Sequence, residues 1–281
     1  MDRLTTYIFG FIVIFLFILE GKANDHFMIL SGVALSVPVA YSAFLAGWIT
    51  LDATKSAIIL GTITLGFGGW WLAFALIFFF VSSSYLSVLR KRKITDTRET
   101  ESLWYKSSDE RRDGFQVWSN GFWLAFFLIL WFITGQQAML LAAFAAVAVA
   151  TADTWATELG SLVPGKTRII TNFSVVEPGT DGGVSLKGTA AAFAGSFFGA
   201  LFLLPTDLFS PGLIATVFFA GVIGSFADSY AGAYLQSSNV AAVRPYGFTK
   251  TSQAFKNNFV NWLSTGIGGL VAFLVANFFF L

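Results

Sequence analysis

The sequence predicts an all-α protein, a polytopic transmembrane helix bundle of about eight or nine helices, with residues 1–281 forming one integral membrane domain. Hydrophobic residues make up 56% of the chain and charged residues only 12%, whereas soluble domains have roughly 45–50% and about 25%. Apolar segments recur along the chain, and most approach the roughly 20 residues that cross a hydrocarbon core. The 33 Phe and nine Trp suit lipid-facing surfaces and interfacial belts.

Nine apolar segments account for the predicted helices, although the third is short. Gly66, Gly68 and Gly69 interrupt what would otherwise be one overlong helix and favour two. Arg3 ahead of the first segment is also typical of a signal peptide, but no small-residue cleavage site follows Glu20. The segments are residues 5–19, 28–49, 54–65, 69–89, 118–134, 137–157, 186–204, 211–236 and 259–281.

Topology follows from the positive charges. Of 17 Lys and Arg, eight lie in residues 90–112, three in 166–187 and three in 244–256. The positive-inside rule places all three clusters in the cytoplasm, which predicts cytoplasmic loops at about 90–117, 158–185 and 237–258. We expect a prokaryotic inner membrane, or a thylakoid membrane, with the functional site on the cytoplasmic side. Nine helices would put only the N-terminus in the cytoplasm, and eight would put both ends outside.

The rare residue types exclude several chemistries. The chain has no Cys and a single His, His26, so it has no disulfide, thiolate nucleophile or cysteine zinc site, and no metal site built from several histidines. The net charge of +1 gives no general footprint for nucleic acid. The side chains that remain for chemistry are acids, bases, amides and hydroxyls, which suit magnesium and phosphate.

A short sequence echo links two of the predicted hairpins. Residues 152–156 read A-D-T-W-A and residues 227–231 read A-D-S-Y-A, 75 positions later. Each copy ends a helix that enters a cytoplasmic loop, so a duplicated two-helix hairpin would have the same orientation twice, as parallel repeats do. A chance match of five residues is the alternative.

The echo also contains the first candidate site residues. An Asp within a membrane segment costs roughly 2.5–3.5 kcal/mol on insertion scales, which favours a functional role. Asp153, Glu158 and Asp228 are therefore predicted catalytic residues and Mg²⁺ ligands, since Mg²⁺ uses few carboxylates together with waters and substrate phosphates. Asp153 and Glu158 are about 140° apart on an ideal helix, so both face one ion only if the helix ends between them. The alternative is that each carboxylate lies at the wet interface.

The loop that follows Glu158 offers groups for phosphate. Glycines just before a helix N-terminus expose backbone N–H groups that can hold an anion, and basic side chains can add charge. A flexible turn into the next helix is the alternative. The predicted phosphate contacts are Lys166, Arg168, Gly179, Thr180, Asp181, Gly182, Gly183 and Ser185.

Further polar residues lie at the predicted level of the aspartates. Gln116 and Asn120 are four residues apart and share a helix face. We expect this group to contact substrate, although amides near a membrane surface also act as spacers between helices. The group comprises Arg112, Gln116, Asn120, Ser229 and Asn261.

These motifs resemble the signature of the integral membrane family that contains the plant and cyanobacterial phytyl-phosphate kinases. The likeness rests on T-A-D-T-W-A-T-E-L-G at residues 151–160 and P-G-T-D-G-G-V-S at 178–185. It covers roughly residues 51–265, the expected catalytic core. Asp181 stands where that family usually has Asn, so it either holds the cation or weakens the phosphate contact.

The resemblance implies a Mg²⁺-dependent transfer of the terminal phosphoryl group of a nucleoside triphosphate, expected to be CTP, to phytyl or a related prenyl monophosphate. The prenyl chain would then lie between helices, with its phosphate at the cytoplasmic surface. Two other functions stay open at this point. Membrane-embedded acids and a repeat are also features of transporters, and a CTP-dependent lipid cytidylyltransferase would need the same substrate class and metal.

Overall fold

The computed structural model describes residues 2–97, 111–162, 165–235 and 250–281, without the side chains of 91–97 and 250–253. Within these ranges the chain forms eight helices and one small sheet. Seven of the helices are long and apolar enough to cross a membrane, which confirms the all-α, multi-pass prediction. The helices are α1 (Asp2–Leu19), α2 (Ala23–Leu45), α3 (Leu51–Thr97), α4 (Gly114–Thr134), α5 (Gln137–Leu162), α6 (Leu186–Leu201), α7 (Pro211–Leu235) and α8 (Lys250–Phe279).

Helix α3 contains the two segments that the sequence separates. Gly69 has φ 77° and ψ −177°, the only non-helical backbone within α3, and glycine tolerates this region because it lacks a Cβ. The chain then turns back, since the ring of Phe80 lies 5.9 Å from that of Trp48, just before α3 begins. The predicted break is therefore confirmed at Gly69, while the two preceding glycines remain helical.

Contacts between polar residues identify one end of the bundle. Asp52 is hydrogen-bonded to Arg3 of α1, and the backbone of Arg112 pairs with that of Ile49. Glu158 near the end of α5 forms an ion pair with Arg90. We call this side of the bundle, which contains Asp52, Arg112 and Glu158, the polar end. It is the side that the positive charges assign to the cytoplasm.

The two predicted hairpins, α4–α5 and α6–α7, both start and finish at the polar end. Helix α5 is the centre of the bundle, because 72% of the residues in its 18-residue apolar stretch are buried, compared with 17% for α1. Its buried face is mostly alanine, from Ala138 to Ala152. Whether the hairpins arose by duplication stays a prediction.

The sequence did not predict the small sheet. Strands β1 (Thr167–Ile169), β2 (Val175–Val176) and β3 (Gly183–Val184) form an antiparallel sheet in the order β2-β1-β3. Pairing satisfies backbone N–H and C=O groups in a segment that leaves the helices. The predicted loop 158–185 is therefore a helix end followed by an ordered sheet. Most of the predicted loop 237–258 and residues 98–110 of the first loop lie outside the described residues.

Candidate active site

Two aspartates from the sequence echo meet inside the bundle. Asp153 on α5 and Asp228 on α7 lie side by side, with their carboxyl groups close enough to interact directly and both lining one cavity. Ser264 of α8 lies with its Oγ 3.2 Å from Oδ2 of Asp228 and donates a hydrogen bond to it. Two carboxylates this close repel each other unless a proton or a cation lies between them. The pair is thus a place where a positive charge is favourable.

Small residues allow the helices around the pair to approach closely. A Cβ on Gly195 of α6 would lie 3.1 Å from Cα of Ala152, and one on Gly160 would lie 3.2 Å from Cα of Gly188. A Cβ on Gly224 of α7 would similarly contact the Val149 side chain. Such close packing of small residues is how membrane helices associate without a hydrophobic driving force between them. It fixes α6 and α7 against the part of α5 that carries Asp153.

The loop of residues 179–185, here called the glycine loop, packs against α7. Gly182 has φ +72°, and a Cβ there would lie 2.5 Å from Cα and 2.6 Å from N of Ala233. Only glycine fits at position 182, because the left-handed backbone there disfavours a side chain and Ala233 occupies the space that a Cβ would need. Asp181 in this loop is near enough for its negative charge to act on Asp228. The loop and the aspartate pair therefore belong to one site.

Some of the predicted N–H donors of the glycine loop are already used. The N–H of Thr180 donates to Glu177 O, and that of Gly183 donates to Thr180 O at 2.8 Å. Ser185 caps α6, since its Oγ accepts a hydrogen bond from the N–H of Gly188 at 3.1 Å. The positive end of the α6 dipole is a further backbone feature on this side of the site that favours an anion.

A polar cavity of about 140 Å³ lies between the aspartate pair and the glycine loop. A cavity of this size holds several water molecules. It can accommodate phosphate groups with a hydrated cation, whereas a nucleoside would extend beyond it. Of the predicted residues, the lining includes Asp153, Asp228, Ser229, Gly179, Thr180, Asp181, Gly182, Gly183 and Ser185.

The prediction that Glu158 completes the cation site is not supported. Helix α5 continues to Leu162, so Glu158 projects from a different face than Asp153. Its Oε1 accepts a hydrogen bond from Ser87 at 2.6 Å, and its Oε2 lies 3.3 Å from Nε of Arg90. Glu158 instead joins α5 to the second half of α3.

Two predicted basic contacts also lie elsewhere. Lys166 and Arg168 are exposed and do not line the polar cavity. The Arg168 guanidinium donates a hydrogen bond at 2.8 Å to the backbone O of Phe173, in the turn between β1 and β2. Asn261 is likewise outside the lining, and its backbone O accepts a hydrogen bond at 2.8 Å from Thr265.

The remaining predicted contacts line a second, apolar cavity of about 700 Å³ between α2, α3 and α4. Arg112, Gln116 and Asn120 lie on this cavity. Gln116 Oε1 accepts a hydrogen bond from the Asp113 N–H, and Asn120 Nδ2 donates to the backbone O of Gln116. These three residues are therefore separate from the aspartate pair, although Ala150 of α5 also lines this second cavity.

Sequence reasoning missed several polar residues of the site. Asn257 at the start of α8 and Ser225 of α7 line the polar cavity, and Ser264 bonds Asp228 directly. Ser225 lies three residues before Asp228, so helical spacing could have placed it on the same side. Asn257 belongs to a polar run before an apolar helix, a pattern that does not reveal which residue points inward.

Residues that could hold a metal are few. Within the described part of the chain, no group of three or more His, Cys, Asp and Glu side chains is arranged to bind an ion. Two carboxylates and hydroxyl groups do fit Mg²⁺ that is bound mainly by substrate phosphates and water. The fold and site thus define a polytopic membrane protein with an intramembrane pair of carboxyl groups below a glycine-rich loop.

This chain belongs to the integral membrane protein DUF92 family, whose model matches residues 34–269. It is 32% identical to an uncharacterized membrane protein of Methanocaldococcus jannaschii, MJ0933, over 77% of this chain and 81% of that protein. No solved structure matches it.

Two proteins of Arabidopsis thaliana are similar over shorter stretches. Protein PGR is 35% identical over 40% of this chain and 46% of its own length. The chloroplastic protein VTE6 is 30% identical over 45% of this chain and 34% of its own length. The chain thus spans less than half of either plant relative.

Proposed function

We propose that this protein is a membrane-embedded prenyl-phosphate kinase. It transfers the terminal phosphoryl group of a nucleoside triphosphate, with CTP as the expected donor, to phytyl or a related prenyl monophosphate. One observation carries the proposal: the contact between Asp153 and Asp228 below the glycine loop. The resemblance of the motifs at 151–160 and 178–185 to the phytyl-phosphate kinases supplies the substrate class.

The carboxyl pair suits a cation that arrives with its substrate. Mg²⁺ keeps several waters and binds through one or two carboxylates together with the phosphates of a nucleotide. Asp153 and Asp228 offer that number, and Ser264 holds Asp228 in place. When bound, Mg²⁺ would neutralise charge on the terminal phosphates. The 140 Å³ of the cavity supports a site for phosphates and cation, with the nucleoside outside it.

Phosphoryl transfer fits the residues that are present. The bond between the terminal phosphorus and its bridging oxygen breaks, a non-bridging oxygen of the prenyl monophosphate forms the new bond, and the nucleoside diphosphate leaves. A phosphate monoester has its second pKa near 6, so it needs little help from a general base. Positioning and charge neutralisation provide most of the catalysis, which explains how a chain with one His can perform the reaction.

The N-terminus of α6 contributes a fixed positive field. Ser185, Gly188 and Thr189 line the cavity, so the first turn of α6 faces the space where phosphates would lie. A helix N-terminus carries the equivalent of about half a positive charge, concentrated in its first turn. Asp181 adds negative charge on the same side, which favours a bound cation over a bare anion.

Purified protein incubated with phytyl monophosphate, Mg²⁺ and each nucleoside triphosphate in turn tests the proposal. We expect phytyl diphosphate and a nucleoside diphosphate in equal amounts. Release of pyrophosphate instead would identify a cytidylyltransferase, and absence of any product with phytyl, geranylgeranyl or farnesyl monophosphate would refute kinase activity. Access of water-soluble thiol reagents to a Cys introduced at position 228 from both faces of the membrane would indicate a transporter.

A further inference from the structure

The apolar cavity between α2, α3 and α4 has a cationic group at one end. Arg112 lies at the polar end of the bundle, where its N–H donates to Trp48 O and its O accepts from the N–H of Thr50. These two bonds hold Arg112 beside the connection between α2 and α3. Its guanidinium lies 5.7 Å from the centroid of Phe80 and 6.0 Å from that of Phe79. The cation therefore lies over aromatic rings where the cavity meets the polar end of the bundle.

The charge of Arg112 has no direct partner in the residues that the structure describes. Its guanidinium forms neither a hydrogen bond nor an ion pair with any of them. Burial lowers the pKa of this guanidinium and the charge of Glu158 opposes the shift, but an arginine stays protonated in proteins. Glu158 is engaged with Ser87 and Arg90. A permanent cation thus faces an apolar cavity, and its guanidinium donors have no hydrogen-bond partner among the residues that the structure describes.

The rest of the cavity suits one hydrocarbon chain. It extends along the second half of α3 from Trp70 to Val81, a distance of about 16.5 Å at 1.5 Å per residue. That is about half of a hydrocarbon core of roughly 30 Å. Its volume of about 700 Å³ lies in the range of roughly 300–1,000 Å³ that holds one ligand of moderate size. Two acyl chains of a membrane phospholipid would need more room.

The cavity is open toward the lipid. Leu35 and Val39 of α2 and Phe74 and Ile77 of α3 line it and are also exposed on the surface of the bundle. Pro38 lies between them and removes one backbone hydrogen bond from α2, which makes this side of the cavity easier to widen. An amphiphile could therefore enter sideways from the bilayer.

The apolar cavity and the polar cavity approach each other across α5. Ala150 lines the apolar cavity and Asp153 lines the polar one. Three residues separate them, which is about 4.5 Å along the helix axis and roughly 60° around it. The two cavities thus lie on adjacent faces of the same part of α5.

We infer that the cavity between α2, α3 and α4 binds a single-chain prenyl monophosphate, with the chain between the helices and the phosphate on Arg112. The choice of a prenyl monophosphate rests on the proposed function. The site itself rests on a long apolar cavity that ends at a cation whose guanidinium bonds none of the described residues. Ala73 of α3 lies toward the far end of the cavity, close to the turn at Gly69, and limits how long a chain can be accommodated.

Photo-crosslinking locates the occupant without depending on turnover. The full-length protein in detergent is incubated with a diazirine analogue of geranylgeranyl monophosphate, with no nucleotide or Mg²⁺ present. We expect labelled peptides from residues 35–46 and 73–81 and competition by phytyl monophosphate. Labelling confined to other segments would overturn the inference. So would a co-purified diacyl phospholipid that geranylgeranyl monophosphate does not displace.

Two variants separate the roles of the tail and the phosphate. Ala73→Phe should weaken binding of geranylgeranyl monophosphate but leave binding of the shorter geranyl monophosphate intact, a selectivity that misfolding would not give. Ala34→Phe makes the same change on an exposed face of α2 outside the cavity and is the control. Arg112→Gln should reduce affinity for geranylgeranyl monophosphate about tenfold or more and leave geranylgeraniol binding unchanged. Equal effects of Ala73→Phe and Ala34→Phe would contradict the inferred site.

Photo-crosslinking and the phosphoryl-transfer assay together distinguish failure of the lipid site from failure of the proposed kinase activity. Labelling of the cavity without phosphoryl transfer from any nucleotide would retain the lipid site and refute the kinase. Phosphoryl transfer with no labelling of the cavity would retain the kinase and refute the lipid site.

Discussion

Replacement of Gly182 by alanine should inactivate the protein by moving the glycine loop away from α7. A Cβ at this position would lie 2.5 Å from Cα of Ala233, while ordinary van der Waals contact begins at 3.4 Å. The loop must therefore shift by about 1 Å, and a misplacement of that size can reduce a catalytic rate about 100-fold. The left-handed backbone adds about 1–2 kcal/mol of strain and the forced contact about 1–3 kcal/mol.

Gly179→Ala provides the matched control for this prediction. Gly179 has φ +88°, and a Cβ there would meet no atom within 4 Å. The Gly179→Ala variant should thus have the backbone strain without the forced contact. Its losses of stability and of rate should be smaller than those of Gly182→Ala. The rate of phosphoryl transfer at saturating substrate measures the loss of activity. Thermal unfolding in detergent measures the loss of stability.

A second substitution in α7 makes the test stricter. Ala233→Gly should not rescue Gly182→Ala, because the contacts at 2.5 Å and 2.6 Å involve backbone Cα and N of residue 233 and persist after the side chain is removed. Full rescue would show that the loop is farther from α7 than described. Equal behaviour of Gly182→Ala and Gly179→Ala would refute the role of the loop contact.

Four further predictions follow from the site. Asp153→Asn and Asp228→Asn should each lower kcat at least about 100-fold, and the double variant should add little, because the two groups act as a pair; additive losses in a kinetic cycle would contradict this. Glu158→Gln should lower the free energy of unfolding by about 1–3 kcal/mol, since Arg90 loses its charged partner. The Mg²⁺ dependence of the rate should stay unchanged, and a weaker dependence would show that Glu158 belongs to the cation site. Lys166→Ala should leave KM for the nucleotide unchanged, and a raised KM would place this exposed lysine on the substrate. Chelation with EDTA should abolish turnover and added Mg²⁺ should restore it, whereas activity in EDTA would exclude a divalent cation.

The sequence predicts the fold well because the membrane imposes simple rules on it. Apolar length identifies the spanning helices, and Gly69 marks the break in α3. The echo around Asp153 and Asp228 also predicts their proximity, since two acids in equivalent hairpins reach the same depth. In the structure the two aspartates line one cavity, while their role as cation ligands stays a prediction.

The parts that sequence could not predict depend on which way a side chain points. Glu158 is close to Asp153 in sequence but faces Ser87 and Arg90, because α5 does not end between the two acids. Arg168 is predicted from the sequence to hold phosphate together with the glycine loop, but its guanidinium bonds the backbone of the turn at Phe173. Arg112 was predicted as a substrate contact from its position alone, and only the packing of α2 against α3 shows that it borders an apolar cavity.

A density map of the protein with Mg²⁺ and a non-hydrolysable CTP analogue tests the central claim most directly. We expect terminal phosphates between Asp153, Asp228 and the first turn of α6, with a cation touching both carboxylates and the nucleoside outside the polar cavity. Phosphates bound elsewhere, with no cation between Asp153 and Asp228, would contradict this prediction.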